Sequence, residues 1–328
     1  MAINSKSVLS VAIAGSTERS VQCARALQND PRFSLSWVLT PTAKPVGRKQ
    51  LLTSTPLAVF ASAESLQAVL VDNRLSQENQ SQITALATPD FLLVVDFGYL
   101  VPPWLLQLPR IAPINIHPSA LPRWRGSSPG QFALLFGETE SAVSVFIMNE
   151  ALDQGPLLAQ LSFAVQPNWD TADYYSHSFA LITDQIGTIL SDFSEQKIQP
   201  QPQPLKSPTP IARSLRKQDT FIPWALLSQA VNDTNTLTFP PTQPELSSVL
   251  LSAWAESNDL QRTLERAVRA FRPWPKLWTL VPTHQGEKRL HILSSGISEN
   301  QFVPLDVVIE GKPKQQWAAV THTLSEKV

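Results

Sequence analysis

An α/β fold is what the sequence predicts: an open, mostly parallel Rossmann-like sheet, followed by a smaller C-terminal β-barrel of OB-like form. Three observations carry that prediction. Short, continuous apolar runs recur through the first half, as in strands buried on both faces. Segments with helical spacing lie between them, the order expected of βαβ units. Past a proline-rich stretch the pattern changes to short strand-like runs at close intervals, punctuated by Gly, Pro and Asn. That is the spacing of a small barrel.

Taken in order, Val8–Ala14 is an apolar run that ends at Gly15 and reads as the first strand. Leu35–Leu39, Phe91–Val95, Ile111–Ile116 and Ala142–Met148 read as further strands. Arg19–Gln28, Ser65–Val71, Ser81–Ala87 and Gly130–Phe136 read as helices between them. Asp173–Phe193 reads as one long helix, because Tyr175, Phe179, Ile182, Ile186 and Leu190 recur at helical spacing. Ile198–Pro210 carries five prolines among glutamines, a composition biased to extended backbone and read as a linker. Beyond it, a short helix starts near Trp224 and an amphipathic one covers Leu260–Phe271. Trp278–Val281, Arg289–Leu293, Val303–Ile309 and Gln315–Val320 are the short strands of the second part. The expected domains are therefore 1–197, a linker over 198–217, and 218–328.

Composition narrows the function. At 328 residues the chain is long enough for two domains and needs no staple to build a core. Its formal charge of −1 excludes a polybasic or acidic tail protein and leaves nucleic-acid binding only as a local patch. The charge is split, with −4 over residues 1–205 and +3 over 206–328. The second domain is thus the better place for an anionic partner. The lone Cys23 excludes a disulfide scaffold, and no Cys/His spacing suits a structural metal. The apolar run near the start is too short to span a bilayer, and no signal-type cleavage site follows it. A cytoplasmic protein with no membrane partner is expected, or an organellar one if a targeting segment was lost.

The turn after the first strand, Gly15-Ser16-Thr17-Glu18-Arg19, has one glycine and lacks the dinucleotide fingerprint. The informative segment is Asn115-Ile116-His117-Pro118-Ser119-Ala120-Leu121-Pro122-Arg123-Trp124-Arg125-Gly126. Asn115 and His117 stand two apart at the end of an apolar run, so on a strand both side chains share one face. An amide donor beside an imidazole at a strand's carboxyl end is placed to hold an oxyanion and move a proton. A polar strand end running into a loop is the other reading of the same residues. Asp153, in the loop after Ala142–Met148 and two residues before Gly155, is a carboxylate that could orient His117. His177, His284, His291 and His322 have no second ligand at metal spacing and read as structural or solvated.

Asn115-x-His117, the run from Ser119 to Pro129, and Leu152-Asp153-x-Gly155 resemble the signature of the folate-dependent formyltransferases. Lys44-Pro45-Val46-Gly47-Arg48 resembles that family's basic loop. The stretch from Pro89 to Pro102, including Asp96-Phe97-Gly98-Tyr99, resembles its folate-pocket strand and loop. Val268-Arg269-Ala270-Phe271-Arg272-Pro273-Trp274-Pro275, and Glu310-Gly311-Lys312 with Trp317, resemble its C-terminal domain. The turn at Gly15 and the stretch between Trp224 and Leu260 depart from the pattern. The resemblance implies Asn115, His117 and Asp153 as the catalytic residues and 10-formyltetrahydrofolate as co-substrate, without a metal. Phe97, Tyr99, Val101, Ser119, Leu121, Pro122, Asn149 and Leu152 would bind the folate. The partner implied is initiator methionyl-tRNA, contacted by Lys44, Arg48, Lys49, Lys217, Arg269 and Arg272, with the protein a monomer. A formyltransferase acting on a sugar-nucleotide or glycinamide ribonucleotide amine, and a non-catalytic RNA-binding homologue, are the alternatives.

Overall fold

The computed structural model describes residues 7–47, 50–232, 245–284, 286–321 and 324. It separates into two compact units: Met1–Ser127, Ala142–Phe163 and Ser176–Ile211 form the first, and Ser128–Ser141, Ala164–Tyr175 and Ala212–Val328 the second.

Chain order in the first half is β1 (Leu9–Gly15), α1 (Glu18–Gln28), β2 (Phe33–Pro41), the hairpin β3 (Lys44–Val46) and β4 (Leu51–Thr53), and α2 (Pro56–Ala63). Then come β5 (Gln67–Val71), α3 (Gln77–Thr84), β6 (Phe91–Val95), α4 (Pro103–Leu106) and β7 (Ala112–His117). The series ends with α5 (Pro129–Leu135), β8 (Glu140–Ile147), β9 (Leu157–Ala164) and α6 (Thr171–Ser194). Seven strands make one sheet in the order β5-β2-β1-β6-β7-β8-β9. β1 runs parallel to β2 and β6, β2 to β5, and β6 to β7, whereas β7 and β8 are antiparallel. The order turns back between β1 and β6, so the carboxyl edge there is the ligand side expected of such sheets.

Alternation along the strands feeds two cores. Ala12, Ala14, Leu92 and Val94 pack with Trp37, Leu39, Val69, Val71 and Phe97. Val11, Ile13, Phe91 and Leu93, at the intervening positions, are all fully buried. Each large side chain so buried contributes about 1.5–3 kcal/mol. Both faces of the sheet are thus covered, which is why its strands read as unbroken apolar runs.

The sequence reading needs correction at several segments; Val303–Ile309, read as one strand, belongs to two, Gln301–Pro304 and Asp306–Ile309, in different sheets. Ser65–Val71 is not a helix: Gln67–Val71 is an edge strand, with Val69 and Val71 buried and Leu70 exposed, a period of two. The helix lies one segment earlier, where Thr55 accepts from the Ala58 N–H at 3.1 Å and Pro56 opens α2. Gln315–Val320 is a strand for only two residues, β15 (Gln315–Gln316), before α10 (Trp317–Val320). The Pro-rich stretch is extended as its composition predicts, yet it is packed rather than free: residues 201–209 are hydrogen-bonded into the first unit.

In the second unit a 3₁₀ turn (Lys217–Thr220) leads to α7 (Trp224–Asn232), α8 (Ser248–Ser257) and α9 (Leu260–Ala270). α9 starts at an Asp259 cap, which accepts from the Arg262 N–H at 3.0 Å, and buries Leu260, Leu264, Ala267 and Val268. β10 (Leu277–Thr283), β11 (Gly286–Ile292), β14 (Asp306–Ile309) and β15 form an antiparallel four-stranded sheet. Between β11 and β14 the chain makes a separate hairpin of β12 (Ser295–Ser298) and β13 (Gln301–Pro304).

Candidate active site

β7 delivers Asn115 and His117 to the carboxyl edge of the sheet, two residues apart and on one face. His117 is 6% exposed. Its Nε2 lies 3.0 Å from the Trp124 carbonyl oxygen. A carbonyl only accepts, so Nε2 carries a proton, and in the neutral ring Nδ1 holds the lone pair. Nδ1 in turn faces Asp153 Oδ2 at 3.8 Å. That oxygen also accepts from the Gly126 N–H at 2.7 Å. The imidazole is thus fixed at one nitrogen, and its other nitrogen is open to a proton beside a carboxylate. The Asn115 side chain makes no hydrogen bond among the described residues, which leaves its amide for a ligand.

The loop after β7 must fold back sharply to do this, and its backbone shows how. Trp124 has φ 56° and Gly126 φ 121°, both left-handed. For a bulky residue such as Trp that conformation is an outlier that only its surroundings can hold. Ser119 is fully buried and donates its hydroxyl to the Arg123 carbonyl at 2.7 Å. Ser144, on β8, donates to the Ser119 carbonyl at 2.6 Å and accepts from the Leu121 N–H. Gln160, on β9, donates to the Leu121 carbonyl at 2.7 Å. On the other side Asp153 has φ 51°. Gly155 follows because a Cβ there would collide with the Ile147 carbonyl.

Arg125 is 5% exposed and turned inward. Its guanidinium donates to the Leu205 and Pro204 carbonyls and to Gln203 Oε1, at 3.0, 2.7 and 3.0 Å. Burial lowers its pKa, against the nearby Asp153 charge, which raises it. Sequence reasoning missed Arg125, Ser144, Gln160 and Gln203 as parts of this site. Only Arg125 carried a signal, its place next to Gly126; the others come from distant strands and from the Pro-rich stretch.

The remaining expected residues are placed as follows. Phe97 is a core residue, 3% exposed, edge-on to Tyr99. Tyr99 donates its hydroxyl to the Asp72 carbonyl at 2.7 Å and accepts from Lys44 Nζ at 3.0 Å. Val101 and Pro122 are half-buried, Leu121 is buried, and Asn149 and Leu152 are exposed. Asn149 Oδ1 accepts from the Ala151 N–H and sets that turn. Arg48 and Lys49 lie outside the described residues. Lys217 is exposed, and its carbonyl accepts from Trp278 Nε1. Arg272 pairs with Asp170 at 3.3 Å. Arg269 is committed within its own unit: Nε and Nη2 bond Glu265 at 2.6 and 2.9 Å, and Nη1 the Trp169 carbonyl at 2.7 Å. Among the described residues no group of three His, Cys, Asp or Glu could hold a metal, and no helix is long and apolar enough to cross a membrane.

Residues 8–186, more than half of the chain, match the formyl transferase family. The chain belongs to that family. It is 32% identical over 250 residues to the methionyl-tRNA formyltransferase of Aromatoleum aromaticum, a match covering 75% of this chain and 78% of that protein. It is 37% identical over 159 residues to the methionyl-tRNA formyltransferase of Ehrlichia ruminantium, strain Welgevonden, covering 48% of this chain and 52% of that one. The matched chain thus spans about half the length of the Ehrlichia relatives. Among solved structures, a methionyl-tRNA formyltransferase from Clostridium thermocellum has the same fold, with TM-score 0.55 over 92% of this chain and 98% of that one at 11% identity. Asn115, His117 and Asp153 thus bring an amide, an imidazole and a carboxylate together at one place in the family-matched residues.

Proposed function

We propose that this protein transfers a formyl group from 10-formyltetrahydrofolate to the α-amine of methionyl-tRNA. The observation that carries the reading is the Nδ1 of His117, 3.8 Å from the half-buried Asp153 carboxylate, with the Asn115 amide on the same strand face. The two methionyl-tRNA formyltransferase relatives favour this acceptor over a sugar or ribonucleotide amine.

The α-amine attacks the formyl carbon, and the carbonyl oxygen becomes an oxyanion that accepts from the Asn115 amide. Donors of this kind contribute about 2.7–4 kcal/mol to the barrier. His117 Nδ1 takes the proton that the attacking amine loses, and Asp153 stabilises the imidazolium. Collapse breaks the bond between the formyl carbon and N10, and the proton on Nδ1 passes to N10. Tyr99, Val101, Pro122, Asn149 and Leu152 are the side chains proposed against the folate, with Phe97, Ser119 and Leu121 shaping the wall behind them. Residues 1–197 would carry the chemistry and 218–328 the tRNA affinity, together with the preceding 206–217, whose Lys206, Arg213, Arg216 and Lys217 give 206–328 its +3 balance. Lys44, Arg48, Lys49, Lys217 and Arg272 are the contacts proposed for the RNA, whose phosphates attract cations.

The test is mass spectrometry of methionyl-tRNA after incubation with the protein and 10-formyltetrahydrofolate, beside a parallel reaction on an amino-sugar nucleotide. N-formylmethionine in the first and no product in the second is expected. Product only on the sugar, or on neither, overturns the reading.

A further inference from the structure

Between Gln201 and Pro210 most side chains face solvent, and Gln203, Ser207 and Thr209 turn inward. All three bond the loops that carry the catalytic pair. Ser207 donates to the Pro122 carbonyl at 2.7 Å, and Thr209 Oγ1 accepts from the Trp124 N–H at 2.7 Å. Gln203 does more. Its Nε2 donates to the Asp153 carbonyl at 3.1 Å and the Gly155 carbonyl at 2.7 Å, and its Oε1 accepts from Arg125. Arg125 precedes Gly126, whose N–H holds the Asp153 carboxylate. One amide therefore grips Asp153 from both directions, through its own backbone and through the neighbour of its side-chain donor.

We propose that Gln203 is a positioning residue for Asp153, and that the Pro-rich stretch acts as a strap fixing the carboxylate against His117. The chemistry of the side chain explains the choice. Two carbonyls on one loop need an N–H₂ donor, and a guanidinium on the other loop needs an acceptor. A glutamine amide supplies both at once, and Glu, Met or Lys cannot. Proline on each side, Pro202 and Pro204, limits the backbone conformations from which the amide must be ordered. Asp153 sits in a left-handed conformation that its surroundings must hold. A shift of about 1 Å in such a group costs on the order of a hundredfold in rate.

The inference rests on the formyl-transfer reading for its assay. Gln203→Glu keeps an acceptor for Arg125 and loses the donor to Asp153 and Gly155; Gln203→Met loses both. With the full-length protein, turnover of methionyl-tRNA should fall about 10- to 100-fold in both variants. The KM for 10-formyltetrahydrofolate should stay within about twofold, since uniform binding is untouched. The decisive measurement is a double-mutant cycle. Asp153→Asn introduced into Gln203→Glu should cost far less than in the wild-type protein, because both changes disable one group. Fully additive losses, wild-type turnover in Gln203→Glu, or loss of the thermal unfolding transition in both variants would each overturn the positioning role. An inactive wild-type protein would instead overturn the formyl-transfer reading.

Discussion

Replacing Asp153 with Asn tests the site at its most calculable point. In the resting pair Asp153 Oδ2 stands 3.8 Å from Nδ1 of His117, and the two side chains are 15% and 7% exposed. When Nδ1 takes a proton, carboxylate and imidazolium attract by about 4 kcal/mol at an effective dielectric near 20. That corresponds to about a thousandfold in rate. Asparagine removes that charge, while its oxygen can keep the Gly126 N–H that Oδ2 accepts in the wild-type protein. Single-turnover formylation at saturating folate should therefore slow by at least about a hundredfold, with the dissociation constant for the folate unchanged. A variant that keeps more than about a tenth of wild-type turnover would show that Asp153 is a turn residue and nothing more.

Other consequences follow from single contacts. Gly155→Ala pushes a Cβ into the Ile147 carbonyl, so turnover should collapse and the melting temperature should fall; normal activity with an unchanged melting temperature would refute the tight turn. Arg269→Ala removes the bonds to Glu265 and to the Trp169 carbonyl and should cost about 1–3 kcal/mol of stability in denaturant unfolding. The salt dependence of tRNA binding should stay as it was, and a shallower slope would restore Arg269 to the RNA contacts. The Arg213 guanidinium, bonded twice at 2.7 Å, holds the Asp219 carboxyl below the usual range. A lowered folded-state pKa gives stability that is present above the unfolded value and lost as pH falls through the folded one. Asp219→Asn should thus melt lower than wild type at neutral pH, with the gap closing below about pH 4.

The parts of the fold that sequence made legible are those where one local rule decides. β1, β6 and β7 are buried on both faces, and α6 and α9 present one continuous apolar stripe. The strand over Gln67–Val71 was misread because a five-residue run with two buried valines fits either period until its sheet neighbour is known. β9 escaped because Gln160 and Ser162 interrupt its apolar pattern, and Gln160 is there to hold the Leu121 carbonyl. For the same reason Asn115, His117 and Asp153 stand out in the sequence and the groups that hold them do not. Asn115, His117 and Asp153 are unusual residue types at strand ends. The groups that fix them are a carbonyl on Trp124, an N–H on Gly126 and amides from Gln160 and Gln203. A backbone group has no sequence signature, and a glutamine among prolines looks like solvent-facing filler.

Three non-glycine residues in loops of the sheet have left-handed backbone: Asp96 after β6, Trp124 after β7 and Asp153 after the antiparallel β8, its carboxylate beside His117. Each such residue costs about 1–3 kcal/mol unless its surroundings determine it. Here every one is held by polar groups from elsewhere in the chain. Asp96 accepts from the Thr17 hydroxyl at 2.8 Å, in the turn after β1, and from Arg19 Nε at 2.6 Å, in the first turn of α1. Trp124 is held at its N–H by Thr209, and Asp153 at its carboxylate by Gly126 and at its carbonyl by Gln203. The geometry around His117 is therefore not a property of the segment that contains it. The left-handed Trp124 aims its carbonyl at Nε2, and the left-handed Asp153 aims its carboxylate at Nδ1, so the two strained residues set the tautomer and the partner of one imidazole. Relaxing either would leave His117 on its strand and buried as before, but with its proton on the wrong nitrogen or its charge without a counterpart.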